Sequence, residues 1–193
     1  IHERLVGSEM CIRDRYNAGF KIVRDMINDK AFKAYIDKGL NEEIIKTIDL
    51  DENELKAFAN SVLERFNNPF IDHKLLDISL NSVAKFKARC LCSLLDYYNK
   101  FGKIPSVLSF SFAALINFYE NFENKDYPVN DVESVLHFFK VKHNDIVFDV
   151  LANVGFWGDD LTKIDGLYKK VKAYFDNIKL LGISKAMEKL LDE

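Results

Sequence analysis

Apolar residues recur every three or four positions along most of the chain, which is the spacing of one face of an α-helix. The pattern begins at Tyr16, with Phe20 the first of the spaced apolar residues, and Asn28-Asp29 interrupts it. Asp29 is a good N-cap for the next helix, and Asp51 begins a further one that ends at Pro69. No stretch alternates apolar and polar residues for long enough to predict a strand. The pattern therefore predicts an all-α domain of about nine helices, several of them short.

The second half of the chain has one segment that is apolar nearly all round, from Ser106 to Phe122. Such a helix is usually buried at the centre of a domain. Gly102 is the expected C-cap of the helix before it, and Gly182 breaks the last amphipathic region. The segment 127–131 is expected to turn and to cap the helix that follows.

Between these regions, residues 82–98 form a helix-patterned stretch with an unusual density of cations. Its apolar arc consists of Val83, Phe86, Cys90, Leu94 and Tyr97. Lys85 and Arg89 fall on the opposite side, whereas Lys87 falls inside the apolar sector. Lys87 must therefore snorkel, pair with another group, or face a cleft. The three cations are either a solvated helix face or part of a binding site, and composition alone does not decide between these alternatives.

Composition narrows the class of protein. The chain has 193 residues, 48% hydrophobic and 30% charged, with a net charge of −3. This supports one soluble globular domain and gives no electrostatic case for binding nucleic acid or an acidic membrane. No apolar run approaches the roughly 18 residues of a membrane span. The three cysteines, Cys11, Cys90 and Cys92, are too few and too clustered for a disulfide framework, so we expect a cytoplasmic protein.

Residues 1–15 differ from the rest, because they have neither a helical period nor the apolar core of a signal peptide. Within them, Val6 to Asp14 resembles a translated sequencing-adapter remnant. We therefore expect residues 16–193 to be the domain and the natural protein to continue upstream. The alternative is a native N-terminus without order, and in either case the segment should carry no chemistry.

Few residues have the spacing of a catalytic or metal site. Glycine-rich phosphate loops are absent from the sequence. His73, Asp72 and Asp77 could together bind a metal ion, but the simpler interpretation is that they are polar surface residues near the start of a helix. We expect no bound metal and no catalytic residue within this chain.

Two segments carry a likeness to a known family. They are Glu64-Arg65-Phe66-Asn67-Asn68-Pro69-Phe70-Ile71 and Leu80-Asn81-Ser82-Val83-Ala84-Lys85-Phe86-Lys87. Pro128-Val129-Asn130-Asp131 and Trp157-Gly158-Asp159-Asp160-Leu161 add weaker support. From about Tyr16 onwards the chain resembles the C-terminal domain of the long-chain mannitol dehydrogenase family. Within that family it is most similar to the tagaturonate reductases, also called altronate oxidoreductases.

The resemblance implies a multi-helical C-terminal domain of a two-domain dehydrogenase that is similar to 6-phosphogluconate dehydrogenase. The Rossmann domain, which would bind most of the NAD, is missing from this chain. The implied reaction is hydride transfer between the nicotinamide and the ketone or alcohol of a hexuronate or polyol, without catalytic zinc. The fragment alone should be inactive.

The same resemblance implies roles for individual residues. The family's catalytic Lys-x4-Asn-x2-His pattern is absent from this chain. Lys85 corresponds to the lysine of the family's Ser-x-x-Lys element, which reaches the substrate, and Ser82 and Asn81 accompany it at the helix junction. Neutral-polyol members carry an arginine where this chain has Asp77, a departure that leaves the sugar specificity open.

One alternative comes from a different functional class, namely a helical interaction or scaffold module without an active site. Composition does not exclude it. The upstream reading frame would discriminate the two, because a dehydrogenase requires a glycine-rich nucleotide-binding segment there.

Overall fold

The computed structural model describes residues 20, 22–68, 70, 74–75, 79–120 and 129–193, and within them the fold is all-α, as predicted. The only β-type pairing in this part of the chain is an isolated antiparallel bridge between Ile22 and Lys74. Residues 1–15, Pro69 and the candidate metal residues Asp72, His73 and Asp77 lie outside the described ranges.

The α-helices follow one another with short connections. They are α1 (Val23–Ile27), α2 (Lys30–Lys38), α3 (Glu52–Phe66), α4 (Ser82–Phe86), α5 (Cys92–Phe101), α6 (Ser106–Glu120), α7 (Glu133–Lys140), α8 (Ile146–Leu151), α9 (Val154–Trp157), α10 (Leu167–Leu181) and α11 (Ile183–Leu191). Two π-helical segments extend this set: Gly39–Ile44 continues α2, and Lys87–Leu91 joins α4 to α5. Short 3₁₀ turns cover Ile45–Thr47 and Leu161–Lys163.

Local capping signals placed several of these helix ends correctly. The Asp29 carboxylate accepts a hydrogen bond from the N–H of Phe32 at 2.9 Å, and Asp51 caps α3 in the same way. Gly102 ends α5 in the left-handed conformation with φ 63°. The prediction that the segment ending at Asp131 caps α7 is wrong, because Val132 is the N-cap and makes no side-chain cap bond.

Helix α6 is the centre of the domain. All its residues from Val107 to Tyr119 are buried, which confirms the prediction from its all-round apolar sequence. Helix α10 packs along it, and the rings of Phe110 and Tyr174 meet edge to face at 5.7 Å. Aromatic contacts of this kind add to the area-proportional gain from burying apolar surface.

A buried carboxylate closes the N-terminal end of α6. Glu43 is 5% exposed and accepts hydrogen bonds from the backbone N–H groups of Val107 at 2.8 Å and Leu108 at 2.9 Å. These N–H groups belong to the first turn of the helix and have no partner within it. Burial raises the pKa of Glu43, and the hydrogen bonds from the backbone oppose that shift.

Lys170 completes this end of the helix. Its ammonium donates to the carbonyl of Ile104 at 2.9 Å and to the hydroxyl of Ser106 at 2.8 Å. Burial lowers the pKa of Lys170, and the neighbouring Glu43 carboxylate opposes the shift. In the described part of the chain, no helix is both long and apolar enough to cross a membrane.

Candidate functional site

The predicted site lies at the start of the helical run formed by α4, the π segment and α5. The run is anchored through Phe86, whose ring lies 4.7 Å from that of Phe112 and 6.1 Å from that of Trp157. The Trp157 indole N–H donates to the carbonyl of Val150 at 2.6 Å, which fixes the third ring of the cluster. The cationic helix is therefore held against α6 and α9 by a rigid aromatic cluster.

The three residues predicted to bind substrate lie together within one helical turn. Asn81 is exposed and left-handed, with φ 51° and ψ 48°. Ser82 is buried, and its hydroxyl donates to the carbonyl of Ser79 at 2.7 Å. Lys85 is half-buried, and its N–H donates to the carbonyl of Asn81 at 3.1 Å. Asn81 and Lys85 thus reach the surface, whereas the Ser82 hydroxyl holds the turn. Their roles toward a substrate stay predictions.

Lys87 lies at the surface rather than in the apolar sector. A Cβ atom at position 158 would come within 3.5 Å of its ammonium, so the side chain passes over Gly158. Gly158 has φ +89°, a conformation that favours glycine. The snorkelling, pairing and cleft alternatives for Lys87 stay predictions.

Two residues of the site neighbourhood were not predicted from the sequence. The Tyr119 hydroxyl, at the end of α6, accepts a hydrogen bond from the N–H of Ser82 at 3.2 Å and donates to the carboxylate of Asp131. The N–H of Asn81 donates to the carbonyl of Asn130 at 3.2 Å. The start of α4 is thus tied to α6 and to the segment before α7. The sequence pointed to this segment only through its predicted turn and the likeness of Pro128 to Asp131, and neither signal indicated a contact with α4.

Other polar clusters belong to the fold. The two ring nitrogens of His143 lie 2.7 Å from the Asp149 carboxylate and 2.8 Å from the carbonyl of Phe138, so this side chain fixes the connection between α7 and α8. Surface cavities of about 410, 600 and 530 Å³ are lined by residues other than Asn81, Ser82 and Lys85. None of these three cavities includes the start of α4.

The residues present do not form a dinucleotide site. Such a site needs a strand, a glycine-rich turn and a helix whose N-terminus meets the pyrophosphate. The sequence has no such glycine pattern, and the described residues contain no named strand. No group of His, Cys, Asp and Glu suited to a metal ion occurs among the described residues either.

Within the described residues, the architecture is thus an all-α, multi-helical domain with a half-buried lysine at the start of α4. Residues 14–179 match the family described as the mannitol dehydrogenase C-terminal domain, and the chain belongs to this family. The resemblance that the sequence motifs indicated is therefore confirmed.

Relatives named altronate oxidoreductase match nearly the whole chain. The protein from Enterobacter sp. (strain 638) is 36% identical over 186 residues, which cover 91% of this chain and 38% of the relative. The protein from Yersinia enterocolitica is 37% identical over 183 residues, covering 89% of this chain and 38% of the relative. The chain thus spans less than half the length of the curated relatives it matches.

Solved structures confirm the fold. The structure described as the Pseudomonas fluorescens mannitol 2-dehydrogenase ternary complex with NAD and D-mannitol superposes with a TM-score of 0.84 at 16% identity, covering 98% of this chain and 39% of that one. A D-sorbitol dehydrogenase in substrate-free form gives a TM-score of 0.78 at 18% identity, covering 96% of this chain and 39% of that one. The chain therefore has the fold of a helical domain from this group of dehydrogenases.

Proposed function

We propose that this chain is the substrate-orienting domain of an NAD-dependent hexuronate oxidoreductase, a tagaturonate reductase that interconverts tagaturonate and altronate. The observation that carries the proposal is the identity of 36–37% to altronate oxidoreductases over about nine-tenths of the chain. The likeness to mannitol and sorbitol dehydrogenases is much lower in identity and supports the fold alone.

The start of α4 carries groups that can bind a sugar acid or a polyol. Lys85 is a half-buried cation within one turn of the exposed Asn81. An ammonium at such a position can make a charge-assisted hydrogen bond to a carboxylate or a hydroxyl, and an amide can donate to or accept from a sugar hydroxyl. We assign substrate contact to Lys85 and Asn81, and the support of their turn to Ser82.

The cofactor belongs to another domain in this proposal. NAD would be held mainly by an N-terminal Rossmann domain that also supplies the general acid or base, since this chain has neither the glycine-rich turn nor the Lys-x4-Asn-x2-His pattern. The partners of the domain would be that Rossmann domain and a small hexuronate or polyol, with no role for nucleic acid or membrane. We propose a cytoplasmic location, because the three cysteines are too few and too clustered for a disulfide framework.

A chimera tests the function. This chain would replace the matched segment of the Yersinia enterocolitica altronate oxidoreductase, and NAD reduction would be followed with altronate and with D-mannitol. We expect oxidation of altronate in clear preference to D-mannitol. A chimera that folds, judged by circular dichroism, and oxidises only D-mannitol would assign the domain to polyols. A folded chimera that oxidises neither would favour a helical interaction module.

The Asn81 side chain can be tested apart from its backbone. Asn81→Gly keeps the left-handed conformation available and removes the amide, which makes no cap hydrogen bond. In the chimera we expect this variant to lower kcat/KM for altronate by roughly fivefold while Tm changes little, since a neutral hydrogen bond contributes about 0.5–1.5 kcal/mol. An unchanged kcat/KM would remove Asn81 from the substrate site.

The domain boundaries give two further expectations. The 193-residue chain alone should show no saturable NADH binding by calorimetry, because it lacks the dinucleotide motif. Deleting residues 1–15 should change stability by less than about 0.5 kcal/mol, since the family match begins at residue 14. Tight NADH binding, or a fall of several degrees in Tm on deletion, would contradict these boundaries.

A further inference from the structure

The start of α4 has no cap of its own. Asn81, in the N-cap position, is left-handed, and its side chain makes no cap hydrogen bond. The first N–H groups of a helix have no acceptor within the helix and need one from elsewhere. Because Lys85 follows one turn later, whatever supplies that acceptor also fixes the position of Lys85.

The acceptor comes from α6 and from the segment before α7. The N–H of Ser82 donates to the Tyr119 hydroxyl at 3.2 Å, and the N–H of Asn81 donates to the carbonyl of Asn130 at 3.2 Å. Tyr119 donates its own proton to Asp131, whose second oxygen accepts from the N–H of Val132 at 2.7 Å. The carboxylate thus orients the phenol so that its oxygen lone pair faces the helix.

Tyr119 is fixed in place on its other sides. Its side chain is fully buried, and its ring stacks on Phe139 with the centroids 4.8 Å apart and an interplanar angle of 19°. The ring of Phe118 meets it edge to face at 5.5 Å. Because the Tyr119 hydroxyl is held in place on these sides, it fixes the position of the first turn of α4.

We propose that Tyr119 and Asp131 are positioning residues that hold Lys85 at the substrate through the first turn of α4. The role rests on the proposed function, because it requires Lys85 to contact the substrate. Neither Tyr119 nor Asp131 touches the substrate in this proposal. Their effect on turnover passes through Lys85 alone.

The first test uses the 193-residue chain and does not depend on its activity. Amide hydrogen exchange, followed by NMR, would be compared between the parent chain and Tyr119→Phe. Phenylalanine keeps the ring stack on Phe139 and removes only the hydroxyl. We expect the exchange of the Ser82 and Lys85 amides to accelerate at least tenfold more than that of the amides of α10, which report the change in global stability. If the Ser82 and Lys85 amides of Tyr119→Phe accelerate no more than those of α10, the proposal is overturned.

The second test is a double-mutant cycle in the chimera, because such a cycle isolates the coupling between two residues. We expect Tyr119→Phe to raise KM for altronate and lower kcat/KM about tenfold, with KM for NAD unchanged. In a chimera that already carries Lys85→Ala, Tyr119→Phe should lower kcat/KM for altronate by less than a further factor of about two. Asp131→Asn, which keeps an acceptor for the phenol, should give an intermediate loss.

The controls separate the possible failures. Tyr35→Phe removes another fully buried hydroxyl, which bonds Ser111 and Val107 at the other end of α6, and should leave kcat/KM unchanged. An active Lys85→Ala chimera would refute the proposed substrate site and the positioning role together. A strong Lys85→Ala defect to which Tyr119→Phe simply adds would overturn the positioning role alone.

Discussion

Polar side chains make hydrogen bonds at both ends of α6, but the groups at each end have different neighbours. At the N-terminal end, Glu43, Lys170 and Tyr35 bond to the backbone and hydroxyls of residues 104–111. These contacts connect core elements to one another. At the C-terminal end, Tyr119 connects the core to the start of α4, where Asn81 is exposed and Lys85 is half-buried.

The difference shows that a buried hydrogen bond does not by itself mark a functional site. Glu43 is a buried carboxylate whose pKa is raised by burial, yet its oxygens are occupied by two helix N–H groups. Tyr119 forms bonds of a similar kind, but one of its partners begins the helix that carries the half-buried Lys85. We therefore expect substitutions at the first end to change stability alone, and substitutions at the second to change substrate handling as well.

The largest stability effect should come from the N-terminal end. Glu43→Ala removes the acceptor of two buried N–H groups, and each buried group left unsatisfied costs about 1–3 kcal/mol. Because the variant also removes the desolvation cost of the buried carboxylate, we expect a net loss of roughly 2–4 kcal/mol. For a chain of this size that is a fall in Tm of roughly 5–15 °C. Thermal unfolding of the 193-residue chain measures it. Glu42→Ala, at the exposed neighbouring position, should leave Tm almost unchanged; equal shifts in the two variants would contradict the capping role.

Substitution of Lys85 tests the role of the C-terminal end of α6. In the chimera, Lys85→Ala should lower kcat/KM for altronate by one to two orders of magnitude, because a hydrogen bond to a charged group contributes about 1.5–3 kcal/mol. Lys85→Arg should lose less, and affinity for NADH should be preserved. Lys100→Ala is the matched control, since Lys100 is exposed on the same helical run, about 20 Å further along. A Lys85→Ala variant within twofold of the parent would place Lys85 on a solvated surface.

Local sequence signals predicted much of the fold. The caps at Asp29, Asp51 and Gly102 act within a few residues, so the sequence contains all that determines them. The apolar arc of the cationic helix was also correct, since its first four members, Val83 to Leu94, are buried. The π segment at 87–91 was not predicted, because an inserted wide turn depends on the packing around the helix rather than on its own residues.

Long-range polar contacts were the part that the sequence did not predict. Glu43 reaches backbone groups 64 and 65 positions later, and Tyr119 reaches one 37 positions earlier. For Glu43 a signal did exist, because it lies three residues after Leu40 and seven after Ile36, within the apolar face of its helix. Tyr119 is one aromatic residue among many in an apolar helix, and nothing local distinguishes its hydroxyl.

Two variants make the same chemical change, tyrosine to phenylalanine, near opposite ends of α6, so their effects can be compared directly. Tyr35→Phe and Tyr119→Phe each remove one fully buried hydroxyl, so each should lower the free energy of unfolding by about 0.5–1.5 kcal/mol. Only Tyr119→Phe should reduce the activity of the chimera. Urea unfolding and altronate oxidation measured on both variants would check this. A loss of activity in both, in proportion to their stability, would remove the distinction between the two ends.

The smallest expected effect is a pH dependence at Glu43, because two opposing causes act on its pKa. Burial raises the pKa from its ordinary value of 4.5, and the bonds from Val107 and Leu108 partly offset the shift. The folded protein then holds this proton more tightly than the unfolded chain does, so acid favours the fold at this residue. We expect the stability of the parent chain relative to Glu43→Gln to be greatest below about pH 4.5 and to decline as the pH rises through the folded-state pKa. Urea unfolding of both chains between pH 4 and 7 measures the difference, with Glu188→Gln as an exposed control. A difference that grows with pH would mean that the two N–H groups outweigh burial, so that Glu43 caps α6 as a fully ionised carboxylate.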